Sequence, residues 1–275
     1  MLWVVENWSL TRKVKEMTEY TKLKSYYGRD LAKLLADKVY NIFPKFQRQK
    51  FIERVDKNTK DLELKARVEV ITDSLYEFLP KDYKEAVNIM MNILGPPNQN
   101  ETGMFRDGYW LMPLAFFVEK YGIDDFETST NAIYQITQRS TGEYAVRPFL
   151  IRFPERMISL MLKWSQSKNV HVRRLSSEGI RPRLPWAKKL DQFIRNPKPI
   201  IPILENLKQD ESLFVKKSVA NNLNDILKDN YDIGFEVLKK WSEFQNSNTQ
   251  WIIKHALRNE LKKGNLEAKR LILYN

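Results

Sequence analysis

Apolar residues recur along most of the chain at intervals of three and four, the period of a helix that turns one face to a core. In DLELKARVEVITDSLYEFL the stripe runs through Leu62, Leu64, Ala66, Val68, Ile71, Leu75 and Phe78. Alternating apolar and polar runs joined by Asn-Gly turns are absent, so strands are not predicted. The predicted helices are short and closely punctuated. Pro44, Pro80, Pro148, Pro154, Pro182, Pro185, Pro197, Pro199 and Pro202 mark starts or interruptions. A long irregular stretch, GPPNQNETGMFRDG, spans Gly95 to Gly108. A loop of that length goes with a boundary, a functional segment or disorder.

A weak repeat lies in the C-terminal half. Val172-Arg173-Arg174 returns 43 residues later as Val215-Lys216-Lys217, Ile253-Lys254 follows 38 residues on, and Val146-Arg147 precedes Val172 by 26. Helix pairs repeating at about 40 residues predict a HEAT-like or armadillo-like solenoid. The fold class is therefore all-α, a helical-repeat solenoid with a concave face built from the second helix of each pair. The repeated cations fall at matching positions of successive second helices and line that face with positive charge. A solvated charged face would read the same way.

Charge sharpens this picture. The 275 residues carry a formal charge of +12. Residues 1–138 hold 20 basic and 20 acidic side chains, whereas residues 139–275 hold 26 basic and 14 acidic. A one-sided basic field points to a polyanionic partner, most simply nucleic acid. The chain has no cysteine, which excludes disulfides, thiolate metal sites and a cysteine nucleophile. No apolar run approaches the roughly 20 residues of a membrane span. Leu2-Trp3-Val4-Val5 is too short for a signal-peptide core. The expectation is a protein of the cytoplasm, with no membrane partner.

Candidate chemistry then narrows to carboxylates. His171 and His255 are the two histidines, with no ligand spacing between them, so no metal site is expected. GxGxxG, P-loop and GxSxG patterns are absent, and no cofactor is expected. Inside the basic half, acids are the anomaly. Aligning Val172 with Val215 sets Glu178 opposite Asn221, and Asp225 lies one turn beyond Asn221 on the same face. Glu143, in STGEYAVRPFL, stands at the start of the preceding helix. Each acid also has a plain reading. Glu143 suits a first-turn position on the helix dipole, Glu178 pairs with Arg174 at i, i+4, and Asp225 is one more polar residue of NNLNDILKD. Trp186, after Pro185, suits a core tryptophan at a helix start.

The motifs NVHVRRLSSEGIRPRLPWAKKL and FVKKSVANNLNDILKD, with EYAVRPFL upstream and WIIKHALRNELKKG downstream, resemble the AlkC-type DNA glycosylases of the AlkC/AlkD alkylation-repair superfamily. LKSYYGRDLAKLLADKV, LELKARVEVITDSLYEFLP and YWLMPLAFFVEKYG are similar too, so the resemblance runs from about Lys22 to the C-terminus. It implies a HEAT-like solenoid that clasps duplex DNA. It also implies excision of cationic alkylated bases, 3-methyladenine and 3-methylcytosine, without extrusion of the base into a pocket, unlike most glycosylases. The functional acids of the family match Glu143, Glu178 and Asp225, and its active-site tryptophan matches Trp186. Arg147, Arg173, Arg174, Lys216, Lys217 and Lys254 are expected on phosphates. Arg181 and Arg183 either hold the backbone or brace the turn that Gly179, Pro182 and Pro185 impose ahead of Trp186. By the same resemblance residues 1–20 form a loose extension. Residues 21–275 form a single domain, with helices to residue 94, a loop at 95–108 and the catalytic repeats from 109. A C-terminal immunoglobulin-like domain, carried by some members, is not expected here, and the protein is expected to be a monomer. A non-catalytic DNA-binding scaffold is the rival reading.

Overall fold

The structure is a computed structural model and describes residues 23–102 and 108–273. The expected loose extension at 1–20, like residues 103–107 of the long loop, lies outside the described residues. Among those residues the chain is all α-helical, with sixteen α-helices, three 3-10 turns and no strand. The chain divides into two compact units, one ending at Phe78 and the other starting at Leu79. The division falls within the stretch that the sequence reads as a single domain, and ahead of the 95–108 loop.

The first unit holds α1 (Arg29–Ile42), α2 (Arg48–Asn58) and α3 (Leu64–Phe78). The helices pack in sequence order, and Phe46, Phe51 and Phe78 meet edge to face or tilted at 5.2–6.3 Å between ring centroids. Such ring pairs add specific geometry to apolar burial. The α3 stripe closes on Val68, Ile71 and Leu75, all buried as the period predicts, while Leu62 and Leu64 are only half-buried.

The second unit opens with α4 (Tyr83–Asn92), α5 (Met112–Tyr121), α6 (Phe126–Thr137) and α7 (Val146–Arg152). Three helix pairs follow. They are α8 (Pro154–Trp164) with α9 (Val170–Glu178), α11 (Ile201–Leu207) with α12 (Leu213–Asp229), and α13 (Tyr231–Ser242) with α14 (Ser247–Ala256). Short α10 (Asp191–Arg195) links the first two pairs, and α15 (Arg258–Lys262) and α16 (Leu266–Leu273) follow the third. The second helices form one layer, α9 against α12 and α12 against α14. Of the first helices, α8 packs on α11 behind them. This is the stacked-pair architecture that the repeat predicts.

The caps give the repeat its register. Asn169, Ser212 and Asn246 each accept hydrogen bonds from the backbone N–H groups two and three residues on. A short polar side chain at this position satisfies donors that the first turn leaves unpaired. Val172, Val215 and Thr249 are thus equivalent. The third copy starts earlier than Ile253-Lys254 suggests, which corrects the expected placement of Lys254. It corresponds to Ser177 and Ala220, one turn past Arg173 and Lys216.

A polar seam runs between the stacked second helices. Asn222 Nδ2 donates to the Ser177 carbonyl at 2.8 Å, Asn224 Nδ2 to the Ala256 carbonyl at 2.6 Å, and Asn259 Nδ2 to Asn224 Oδ1 at 2.9 Å. Buried amides that find partners fix one registry between helices, because any slip leaves them unsatisfied.

Gly179 has a different role from the one its place before the prolines suggests. Its φ of −64° is helical, so it makes no turn that other residues refuse. A Cβ there would lie 2.6 Å from Val146 Cγ2 and 2.9 Å from Met161 Cε. Glycine lets the end of α9 close onto α7 and α8. Gly179→Ala is expected to lower stability by about 1–3 kcal/mol through overpacking, read as a lowered denaturant midpoint with an unchanged m-value. A midpoint equal to wild type would remove this close approach as the reason for glycine.

Candidate functional site

Glu143, Glu178 and Asp225 come together through two arginines. Arg174, on α9, donates to Glu143 Oε2 and lies 3.6 Å from Glu178 Oε1. Arg181, three residues past α9's last acid, donates from Nη1 to Glu178 Oε1 at 2.8 Å and from Nε to Asp225 Oδ2 at 2.9 Å. The result is an alternating chain, Glu143, Arg174, Glu178, Arg181, Asp225, with three negative and two positive members. It spans the α6–α7 turn, α9, the segment after it and α12. Glu143 itself sits in the turn before α7, not in its first turn. Its carboxylate also accepts from Thr141 Oγ1 at 2.9 Å.

The members differ in what holds them. Both oxygens of Glu178 are engaged, Oε1 by the arginines and Oε2 by the Ser218 hydroxyl at 2.6 Å. Burial works against its charge, but Arg174, Arg181 and the Ser218 hydrogen bond prevail and hold the carboxyl below its ordinary value. Asp225 goes the other way. Burial outweighs the Arg181 hydrogen bond and charge, and raises its carboxyl above the ordinary value. Its side chain retains 14% of its exposure, against 7% for the side chains of Glu143 and Glu178. The acid nearest solvent is therefore also the one that most readily takes a proton among the pair with shifted values. Two neighbouring carboxyls pushed apart in proton affinity suit an acid–base division of roles.

The segment SSEGIRPRLPW is a brace and a display. Arg183 makes a two-pronged contact with Asp229, Nε to Oδ2 and Nη2 to Oδ1, both at 2.6 Å. With Arg181 held by Glu178 and Asp225, both arginines of the motif tie the segment to α12. Trp186 then stands 67% exposed, at a backbone φ of +63°. That conformation is disfavoured for a side chain with a Cβ, and such strain concentrates at functional positions. An exposed tryptophan also corrects the plain reading of Trp186 as core.

The expected phosphate contacts divide. Arg147 is corrected outright. It is 3% exposed, and its guanidinium donates to the carbonyls of Gly179 at 3.1 Å, Arg181 at 3.0 Å and Lys188 at 2.5 Å. Burial and the nearby charge of Arg181 lower its pKa to about 10. The fork fits a cluster of carbonyls left over where α9 ends, and no face of it is presented outward. Arg173 pairs with Asp210 at 2.6 Å, and Arg174 lies in the acid chain with its guanidinium 4.8 Å from the Phe214 ring centre. Lys216 donates to Asn248 Oδ1 at 2.7 Å. Lys217 and Lys254 are exposed and have no carboxylate partner among the described residues. The motif reading passed over Lys188 and Lys189, which follow Trp186 and are also exposed. Their signal was present in WAKKL. Ser218 and Thr141, which hold the acids, carried none, because only the stacking of helices brings them near.

Among the described residues, no group of three or more His, Cys, Asp or Glu is placed to hold a metal ion. No helix is long and apolar enough to cross a membrane among those residues.

Stacked helix pairs, with a buried acid–arginine chain across the second helices and an exposed tryptophan in the segment after α9, define a helical-repeat protein with one chemically specialised face. A family model described as DNA alkylation repair enzyme matches residues 136–259, which contain every member of that face named above. The chain is 44% identical over 253 residues to the uncharacterized protein YhaZ of Bacillus subtilis (strain 168), an alignment covering 92% of this chain and 68% of that protein. It matches the solved structure of Pseudomonas fluorescens alkylpurine DNA glycosylase AlkC bound to DNA containing an abasic site analog, with a TM-score of 0.84 and 33% identity over 92% of this chain and 68% of that one. The chain belongs to the DNA alkylation repair enzyme family, as an AlkC-type member.

Proposed function

We propose that this protein is a DNA glycosylase of base excision repair that hydrolyses the N-glycosidic bond of cationic alkylated bases, 3-methyladenine and 3-methylcytosine, in duplex DNA without extruding the base. The observation that carries this reading is the acid–arginine chain with a net negative charge, set in the basic half of the molecule. A face that only bound DNA would gain nothing from gathering three carboxylates within its basic half. A reaction that develops positive charge on a sugar would. The relative of solved structure, an alkylpurine DNA glycosylase bound to DNA with an abasic site analog, supports the same class of reaction.

A base alkylated at a ring nitrogen carries positive charge and leaves as a neutral molecule with the electrons of the glycosidic bond. The deoxyribose left behind has oxocarbenium character. Asp225 is the group we assign to that charge and to the incoming water, whose proton it accepts. Its raised proton affinity suits the task. Glu143 shares the electrostatic work, and Glu178, held at both oxygens, positions Arg174 and Arg181. Trp186 offers an electron-rich face to the sugar or the cationic base. Lys217, Lys254, Lys188 and Lys189 hold backbone phosphates, joined by Lys216.

Release of free base from duplex DNA tests the reading. Methylated duplex is expected to lose 3-methyladenine and 3-methylcytosine, while duplexes carrying neutral hypoxanthine or uracil are expected to lose essentially none. Comparable release of the neutral bases would contradict a mechanism that relies on the lesion's charge. No release from a folded, DNA-binding protein would leave the scaffold reading.

A further inference from the structure

The register set by the caps exposes a progression along the inner layer. Arg174 and Glu178 of α9 correspond to Lys217 and Asn221 of α12, and to Trp251 and His255 of α14. The third pair has exchanged charge for a stack. The rings of Trp251 and His255 lie 4.8 Å apart at 13°, and the Lys216 ammonium stands 5.7 Å from the Trp251 ring centre. Arg258 folds back over this helix end. It donates from Nη1 to the His255 carbonyl at 2.7 Å and from Nη2 to Asn221 Oδ1 at 3.0 Å. Cations from α12 and from the start of α15 thus border one half-exposed imidazole. That ring makes no hydrogen bond of its own to the described residues.

We propose that Lys217, His255 and Arg258 form a phosphate site for the duplex backbone, one repeat along from the acids, in which His255 takes up a proton as the phosphate binds. Three features support it. The stack on Trp251 holds the plane of the imidazole before any ligand arrives. Lys217 is exposed and has no carboxylate in ion-pair contact among the described residues, so its charge is available to a ligand. Burial, with the repulsion of Arg258 and Lys217, holds the proton affinity of the imidazole below its ordinary value. Other charged groups nearby are Lys254, exposed on the same helix, Lys216 beside Trp251, and Arg181 and Asp225, whose charges reach Arg258. A phosphodiester placed there reverses the local field and favours the imidazolium, which then donates to it. The site rests on duplex DNA being the ligand, but not on base excision.

NMR titration of the two histidines tests this directly, because His171 is an internal control. Its ring is buried, bonded through Nε2 to the Asn100 carbonyl at 2.9 Å and packed on Phe214. Adding undamaged duplex is expected to raise the His255 midpoint by about one pH unit and leave His171 in place. Inorganic phosphate alone is expected to give the same direction of shift only at much higher concentration, which separates a backbone site from a general anion site. Lys217→Ala is expected to raise the His255 midpoint in the free protein while weakening duplex binding, two effects that a purely structural lysine would not produce together. His255→Gln is expected to weaken duplex binding severalfold near pH 6, about tenfold at most well below both midpoints, and little at pH 8. A His255 midpoint unmoved by duplex, or binding by His255→Gln with the wild-type pH dependence, would overturn the site. Because the duplex is undamaged, either result stands apart from whether the protein releases bases. Stronger effects with single-stranded than with duplex DNA would replace the backbone phosphate by a stacked base as the occupant.

Discussion

Asp225→Asn is expected to abolish base release, by a factor of about 10² to 10⁴, while duplex affinity holds or rises. The two effects separate because Asp225 contributes differently to each. Its carboxylate is the least buried of the three acids and carries the raised proton affinity of a base. Asparagine keeps the shape and can still accept from Arg181, so the helix stack has no reason to move. It cannot take a proton or neutralise a sugar cation. Removing an anion from the basic half also lessens repulsion of phosphate. Single-turnover release and duplex affinity, measured on the same preparations, check both halves. Equal release by the variant would return Asp225 to the plain role of a polar residue on α12. The pH dependence has a definite sign. Asp225 works as a carboxylate, so release is lost as pH falls through its raised value. Glu178, whose carboxyl is depressed in the fold, contributes stability above its unfolded pKa, and this is lost only as pH falls through its lower folded value. On the acid side there is therefore a range in which the protein stays folded but has lost activity.

Arg181→Met is expected to be the most destabilising single change in the site, by about 3–5 kcal/mol. At roughly 2–4 °C per kcal/mol for a unit of this size, the melting temperature falls by about 10 °C. Methionine retains the bulk but leaves Glu178 and Asp225 facing each other without the guanidinium that bridges them at 2.8 and 2.9 Å. Both carboxyls then bind protons more readily, so the loss of stability shrinks as pH falls toward their new values. Arg183→Met provides the comparison. Its pair with Asp229 is more open to water, with 25% of the arginine side chain exposed, and solvent-screened pairs contribute about 1 kcal/mol or less. Thermal melts of both variants at neutral and mildly acid pH measure the difference. Equal melting temperatures for Arg181→Met and wild type would mean that the chain of charges does not hold these elements together.

The local pattern was legible because it depends on neighbours in sequence. A three-and-four period places Val68, Ile71 and Leu75 inward whatever else the chain does. Asn169, Ser212 and Asn246 cap their helices through residues two and three places on. The spacing of Val172 and Val215 carried the repeat, and with it the shared face of Glu178 and Asp225. The family was readable in motifs of this kind.

Which cations face outward was not readable, and the reason is physical. A guanidinium is defined by its partners, and partners 31 to 46 residues away are set by packing. Arg147 looks in sequence like any basic residue at a helix start, yet it closes carbonyls of Gly179, Arg181 and Lys188 in the interior. Arg181 and Arg183 reach acids on α12 that are 44 and 46 residues on. The lysines stay outside because an ammonium on a long chain is strongly hydrated and gains little from burial. Composition thus determined that the C-terminal half is basic, and periodicity that it is a stack of helices. Only the tertiary structure decided that Arg147, Arg181 and Arg183 are internal braces, that Asp225 and Glu178 differ in proton affinity, and that Trp186 stands in solvent on a strained backbone, because burial and the distance between charges exist only once the helices have stacked.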